Sequence, residues 1–364
     1  MKRLPILLLL SGFLFTDSNC QNANTDCHGV DCSWLQAYLL YNINTYIATG
    51  ADTAGCGIFI SNDLTNWDSV FRPDSSINCQ FLVTMNYKNG FFAVGGSDAG
   101  NQCIAFTSSD GINYTQRDCM PIASTAVTDS VYVNNRLWFS TQSTNMRYSD
   151  DFGITWQTTT IPGGSGNSLF WDGTAFLVGA SGGQIYRAND PADALGGWSN
   201  PHTAAGAIFD IVSTPVATLA VGGTTTVALT SNNYFGSVTD VSANVFNGRP
   251  GSETPGRAAV FNGTTYVFGG IGFTAGNSCI ADHSTDLTNW AGATRIANLC
   301  NYTGSGSNQH QAGNLDVLDG VGLFASGASF SGANSEKYVA RSTDGVIWTV
   351  TNTGFIITDI MQFP

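Results

Sequence analysis

From residue 45 onward the apolar positions fall into short runs separated by pairs of turn residues. Phe81 to Tyr87, then Asn89-Gly90, then Phe91-Phe92-Ala93-Val94-Gly95-Gly96 reads as one hairpin. Its two strands are joined by a dipeptide that accepts the positive φ angles of a two-residue turn. The layout returns with Asp172-Gly173 before Phe176-Leu177-Val178-Gly179 and with Asn262-Gly263 before Tyr266-Val267-Phe268-Gly269. It returns again with Asp319-Gly320 before Leu323-Phe324. Composition agrees with many short strands. There are 42 glycines and only 11% charged residues, and Glu253 and Glu336 are the only glutamates, so long surface helices are not expected.

A second pattern recurs between the hairpins. Ser149-Asp150-Asp151-Phe152-Gly153-Ile154-Thr155-Trp156 follows the pattern S-x-D-x-G-x-T-W. Related copies are Ser61 to Trp67, Ser108 to Tyr114, Ser284 to Trp290 and Ser342 to Trp348. Two are degenerate: Ala188-Asn189-Asp190 leading to Trp198, and Ser231-Asn232-Asn233 followed by Gly236. From Asp63 to Asp344 they recur about every 47 residues, the length of a four-stranded propeller blade. Seven copies predict an all-β, seven-bladed β-propeller over residues 45–364, each blade ordered A, B, C and D with the motif at the C–D turn. The chain thereby resembles the BNR/Asp-box repeat group, whose sialidase-like fold serves enzymes and non-enzymes alike. The resemblance implies a structural task for Asp63, Asp110, Asp151, Asp286 and Asp344: accepting backbone N–H groups within the turn.

A propeller must close its ring. The tail Phe355-Ile356-Ile357-Thr358-Asp359-Ile360-Met361 resembles Val127-Thr128-Asp129-Ser130-Val131 and Ile208-Phe209-Asp210-Ile211-Val212. The tail is therefore expected to be strand A of the first blade, with Tyr46 onward supplying B, C and D. Trp34 to Tyr41 competes for that place but lacks the Asn-Gly turn.

Nine cysteines remain to be placed. Cys56, Cys103 and Cys279 each open a strand C, and Cys79, Cys119 and Cys300 each follow a strand D. Antiparallel pairing brings those ends together, so the expected bridges are Cys56–Cys79, Cys103–Cys119 and Cys279–Cys300. Cys27 and Cys32 close a small N-terminal loop, which leaves Cys20. A zinc cluster would need paired knuckles that the spacing lacks, so no metal is assigned.

The leftover cysteine sits where export chemistry would use it. Met1-Lys2-Arg3 is a positive n-region and Leu4 to Phe15 an apolar run too short to span a bilayer. Thr16-Asp17-Ser18-Asn19-Cys20 resembles the lipobox of bacterial lipoproteins, with Asp17 departing from its small or aliphatic pattern. Residues 1–20 thus read as a signal peptide with a possible lipobox, and residues 21–44 as an N-terminal segment. Cleavage after Ser18 into a secreted form is the alternative. A net charge of −13 with three lysines excludes a sequence-independent nucleic-acid surface or docking on anionic lipid.

Candidate chemistry is sparse. In a propeller the B–C and D–A loops share one face, and the bridges and the longest loops fall there: Phe71 to Asn78, Ser242 to Gly256, Asn301 to Asn314 and Ser326 to Glu336. The ligand-contact candidates on that face are Arg72, Asp74, Asp98, Arg249, Arg257 and His310. A sialidase needs three arginines, a Tyr–Glu pair and an acid/base aspartate. Here Phe71-Arg72-Pro73 follows the first motif instead of preceding it, and both glutamates lie in loops. The reading is therefore an exported, envelope-associated module that binds a protein or glycan on its loop face and uses no cofactor. A glycoside hydrolase of sialidase type is the alternative.

If Cys20 is acylated, the wild-type protein partitions into detergent and Cys20→Ala releases a soluble form. A mature N-terminus at Asn19 without lipid, read by mass spectrometry, contradicts the anchor.

Overall fold

A computed structural model describes residues 45–362 except 53, 89, 120–124, 190–196, 215–216, 224–225, 247–255, 273–277, 293, 297–309, 319–321 and 330–336. Among the described residues twenty-eight strands form seven four-stranded antiparallel sheets arranged as a seven-bladed propeller. Blade 1 holds β1 (Tyr46–Asp52), β2 (Gly55–Ser61) and β3 (Asp68–Phe71). Blade 2 is β4 (Cys79–Lys88), β5 (Phe91–Asp98), β6 (Cys103–Ser108) and β7 (Thr115–Arg117). Blade 3 is β8 (Val127–Val133), β9 (Arg136–Thr141), β10 (Asn145–Ser149) and β11 (Gln157–Thr160). Blade 4 is β12 (Gly166–Trp171), β13 (Phe176–Ala180), β14 (Gln184–Ala188) and β15 (Ser199–Thr203). Blade 5 is β16 (Ile208–Ser213), β17 (Thr218–Gly222), β18 (Val227–Ser231) and β19 (Thr239–Asp240). Blade 6 is β20 (Gly256–Phe261), β21 (Tyr266–Gly272), β22 (Ser278–Ser284) and β23 (Thr294–Arg295). Blade 7 is β24 (His310–Leu318), β25 (Gly322–Ser329), β26 (Tyr338–Ser342) and β27 (Thr349–Asn352).

The final strand, β28 (Ile356–Gln362), pairs antiparallel with β1 and supplies strand A of blade 1, as the tail's likeness to other inner strands predicts. The Phe355 ring stacks on Phe59 at 3.7 Å between centroids, fixing the incoming strand against β2. Trp34 to Tyr41 lies outside the described residues.

The core is distributed around the ring. Strand residues alternate between two faces, so each blade offers one apolar face to each neighbour. Ile47 and Ile58 of blade 1 meet Leu82, Phe92 and Phe106 of blade 2. Trp138, Met146 and Tyr148 of blade 3 meet Leu169, Phe176 and Val178 of blade 4. Leu318 and Val339 of blade 7 meet Tyr46, Phe59 and Ile360 of blade 1.

The Ser-x-Asp turns explain why the motif repeats. In the first, Ser61 Oγ accepts the N–H groups of Asp63 (3.2 Å) and Leu64 (2.9 Å), and donates to Asp63 Oδ1. Asp63 Oδ1 in turn accepts the N–H groups of Thr65 (2.8 Å) and Asn66 (2.7 Å). Equivalent bonds form around Asp110, Asp151, Asp286 and Asp344, and around Asn233 in blade 5. These bonds hold the Asp63 and Asp286 carboxyls down to about 2, the largest contributions coming from the backbone N–H groups of Asn66 and Asn289. Leu64 and Leu287 adopt left-handed φ angles of 60° and 63°. Their buried side chains offset a backbone cost of roughly 1 kcal/mol.

Every inner strand carries an extra residue. The pairing of strand A with strand B shifts register near the head of each A strand, leaving Val83, Thr128, Asn167, Phe209, Arg257, Gly313 and Thr358 as bulge residues in blades 2 to 7 and 1, with a second shift at Gln80 in blade 2. A bulge bends its strand and pushes backbone toward the partner. A Cβ on Gly50, Gly96 or Gly222 of strand B would overlap the carbonyl oxygen of Ile356, Phe81 or Ala207. Blades 3 and 4 instead place Thr141 and Ala180 at the register opposite the bulge.

Gly96→Ala and Gly222→Ala should each lower unfolding free energy by about 1–3 kcal/mol, because backbone must move to admit the methyl group. Urea midpoints within experimental error of wild type would show that the bulge leaves room. Deleting residues 355–364 exposes two sheet edges and should abolish soluble folded protein. A truncated protein melting within a degree or two of the intact one would contradict closure by β28.

Candidate functional site

At the centre of the ring a polar cavity of about 160 Å³ is lined by residues at or next to the bulges of blades 1 to 6. Its walls include Thr84, Thr128, Asp129, Asn167, Phe209, Asp210, Thr358 and Asp359. Because the bulges sit near the heads of the A strands, the cavity lies toward the face that carries the B–C and D–A loops.

In blades 1, 3, 4 and 5 the bulge residue, its successor or both clip the blade to the next. Thr128 Oγ1 donates to the Gly166 carbonyl (2.7 Å), and Asn167 Nδ2 donates to the Ile208 carbonyl (2.9 Å). Thr358 Oγ1 donates to the Leu82 carbonyl. Each acceptor is the residue just before the next blade's bulge. The successor residue works in the opposite sense. Asp359 Oδ2 accepts the Met85 N–H (2.6 Å), Asp129 Oδ2 the Leu169 N–H (2.7 Å) and Asp210 Oδ2 the Ala259 N–H (2.8 Å). Oδ1 of each accepts the N–H of its own following residue. These aspartates stand on blades 1, 3 and 5 and bond to blades 2, 4 and 6, whose own successor residues are Thr84, Ser168 and Ala258. Blade 7 carries Asp316, two residues beyond the equivalent position.

Desolvation inside the ring opposes ionisation of Asp129, Asp210 and Asp316, although each keeps some accessible surface. Desolvation pushes the Asp129 carboxyl up to about 8, opposed by the Leu169 N–H and reinforced by the Asp210 and Asp359 carboxylates. Asp210 is pushed up to about 6 by desolvation. Asp316 is raised by desolvation and by the neighbouring Asp359 charge.

The channel aspartates went unrecognised as a group in the sequence reading, although Thr128-Asp129, Phe209-Asp210 and Thr358-Asp359 were on view as the likeness between inner strands. The signal was there; the bulge that gives it meaning is a property of strand pairing.

The candidates chosen from sequence lie elsewhere or along the rim. Arg72 follows β3 and donates to both oxygens of Asp52 (2.5 and 3.0 Å), with Gly55 carbonyl as a further acceptor. The pair ties the D–A loop of blade 1 to its B–C turn. Asp74 caps a short 3₁₀ turn, Ser75–Ile77, by accepting the Ser76 N–H. Asp98 ends β5 and accepts the N–H groups of Gly100 and Gln102, both at 2.8 Å. Arg257 occupies the bulge position of blade 6 and His310 opens β24. Arg249 lies outside the described residues, as do Cys20, Cys27, Cys32 and Cys300, so the Cys279–Cys300 pairing does too. Cys56–Cys79 and Cys103–Cys119 are bonded, with Cα atoms 5.8 and 5.9 Å apart. Cys79 is also the first residue of β4, so its bridge fastens strand C of blade 1 to the inner strand of blade 2. Among the described residues no group of three or more His, Cys, Asp or Glu is placed to hold a metal ion. Nor is any helix among them long and apolar enough to cross a membrane.

No protein-family profile matches the sequence, and no curated protein is recognisably similar to it. Solved structures are similar in fold. YCF48 bound to a D1 peptide superposes with a TM-score of 0.53 at 14% identity, over 74% of this chain and 81% of its own. A GH74 xyloglucanase from Xanthomonas campestris gives 0.60 at 11% identity, over 85% of this chain and 53% of its own. This chain thus spans about half the length of that enzyme. YjhT gives 0.51 at 13% identity, over 78% of this chain and 100% of its own. At such identities the likeness establishes the seven-bladed β-propeller architecture and nothing finer.

Proposed function

We propose that the protein is an exported, envelope-associated binding module that takes a protein or glycan partner on its loop face, at the mouth of the central channel. One observation carries the reading: the repeat breaks at blades 5 and 6. Five bulge positions hold Val83, Thr128, Asn167, Gly313 and Thr358, whereas the adjacent blades 5 and 6 hold an aromatic residue, Phe209, and a cation, Arg257. Aromatic residues and arginine are the side chains that most often anchor a partner. The expected long loop from Ser242 to Gly256 leads directly into Arg257. Two disulfides support passage through an oxidising compartment, and an acyl anchor at Cys20 would hold the propeller at the envelope.

The same geometry weighs against chemistry at the channel. Each of Asp129, Asp210 and Asp359 spends both oxygens on backbone N–H groups, and the three do so identically. A catalytic pair would be unique and would keep an oxygen free for substrate. The glycoside hydrolase alternative rests on the fold shared with the xyloglucanase and on carboxyls with raised proton affinity.

Peptide and glycan arrays, run beside fluorogenic glycoside hydrolysis, separate the two. The expected result is saturable capture without turnover. Arg257→Ala and Phe209→Ala should each weaken capture about tenfold or more, equivalent to about 1.4 kcal/mol. Asp344→Ala, on the opposite face, should leave it unchanged. Turnover abolished by Asp129→Asn would establish the enzyme reading instead.

A further inference from the structure

We propose that the face carrying the Ser-x-Asp turns, over blades 7, 1, 2 and 3, docks on the surface of a zwitterionic phospholipid bilayer, with Ile347, Ile154 and Phe91 entering it. Among the described residues the exposed large apolar side chains are Phe91 (44%), Ile154 (55%), Val317 (37%), Val346 (37%) and Ile347 (74%). All five stand at the end of the ring that carries those turns. Phe91 opens β5, Val317 is the last residue but one of β24, and the others belong to the turns of blades 3 and 7. Single apolar residues scattered over a surface are ordinary; a set gathered at one end of one arc marks an interaction surface.

The turn itself does not call for them. Asn66, Asn113 and Asn289 each donate Nδ2 to the second oxygen of their turn aspartate (2.7, 2.6 and 2.7 Å), and Thr155 Oγ1 does so in blade 3 (2.6 Å). Ile347 occupies that position in blade 7, so its side chain closes no such bond and stands in solvent. The Phe91 ring is propped by Phe152 at 5.2 Å between centroids, and Phe152 by Tyr132 at 5.1 Å.

Three observations select a lipid surface as the occupant. The apolar groups cap turns on blades 7, 2 and 3 with blade 1 between them, which suits a plane better than a peptide. The chain also enters here. Tyr46 pairs with Ser61 and Gln362, and Thr45 Oγ1 donates to Asn62 Oδ1 (3.0 Å), so the entry lies at the turn of blade 1, in the middle of the arc. On the reading that Cys20 is acylated, on which this step alone rests, residues 21–44 reach at most about 80 Å and keep the arc at high effective concentration beside the bilayer. The loop face then points away from the lipid. Charge sets the lipid class. Asp63, Asp110, Asp151 and Asp344 stand on the turns of the arc, against Lys88, Arg136 and Arg341 at the same end, and Arg136 is already paired with Asp150. That acidic surplus repels anionic headgroups and leaves neutral ones.

The test compares the wild type with an Ile154→Thr/Val346→Thr/Ile347→Asn variant, whose turns carry residue types that blades 1 and 6 already use at those positions. Ile347→Asn restores the donor to Asp344, so the variant should melt no lower than the wild type. Each mature protein is mixed with phosphatidylcholine vesicles at millimolar lipid, and amide exchange is read turn by turn, corrected for intrinsic rate. The turns of blades 2, 3 and 7 should exchange about threefold more slowly in the wild type than in the variant, while those of blades 5 and 6 match. Equal exchange in the two proteins would overturn the proposal. So would slowing that is stronger on phosphatidylglycerol vesicles, or slowing that needs no vesicles and grows with protein concentration, which would assign the face to a second copy of the chain. Flotation of the wild type beside Cys20→Ala reports the anchor separately, so either reading can fail while the other stands. Should the variant fail to fold, wild-type exchange with and without vesicles decides the matter.

Discussion

The extra residue near the head of every inner strand is the constraint on which the rest of this ring depends. A regular antiparallel A–B ladder would direct alternate side chains squarely at the two neighbouring blades. Inserting one residue rotates the strand locally, so that the bulge side chain reaches the next blade's carbonyl while its successor reaches that blade's N–H. The same kink drives strand-A backbone into the space beside strand B, which is why Gly50, Gly96 and Gly222 stand opposite it. Apolar contacts between blades supply most of the burial, but they tolerate sliding. Two directional bonds at the same boundary do not.

Two populations of aspartate divide the work by position. At the C–D turns the carboxylate accepts two backbone N–H groups in the open, where ionisation is cheap and those bonds hold it charged. In the channel the carboxyl also accepts two backbone N–H groups, yet its proton affinity rises. The difference is desolvation inside the ring, reinforced at Asp129 by the Asp210 and Asp359 charges. Counting residues gives a net charge of −13, but such a count treats all aspartates alike. With Asp129 pushed up to about 8, the folded molecule at neutral pH carries less negative charge than its composition implies.

What could be read from the sequence follows from which features are local. The Ser-x-Asp turns are closed by bonds within five residues, so their residue types recur and their spacing counts the blades. Asn-Gly and Asp-Gly turns mark the A–B hairpins for the same reason. Ring closure was legible because Ile357-Thr358-Asp359 repeats an inner-strand pattern, and the two bridges because blade register aligns Cys56 with Cys79 and Cys103 with Cys119. The bulge was not legible. It is defined by pairing with another strand, and its two positions range over Val-Thr, Asn-Ser, Phe-Asp and Arg-Ala. The three channel aspartates were therefore seen only as markers of strand A, and attention went to loop residues such as Asp74 and Asp98, which cap their own turns.

Repetition also separates scaffold from site. A feature present in most blades is explained by the ring: the Ser-x-Asp turns, the bulges, the Thr, Asn and Asp clips. Features that occur once need another explanation. Both described bridges and the Arg72–Asp52 pair fall on the loop face of blades 1 and 2, where closure already demands reinforcement. Phe209 and Arg257 stand at bulge positions that the other blades fill with Val83, Thr128, Asn167, Gly313 and Thr358. Blade 5 keeps its aspartate bond to Ala259, the same bond by which Asp129 joins blade 3 to blade 4. Ring geometry accounts for the aspartate at this boundary, and the aromatic and cationic residue types beside it mark where the repeat departs from uniformity.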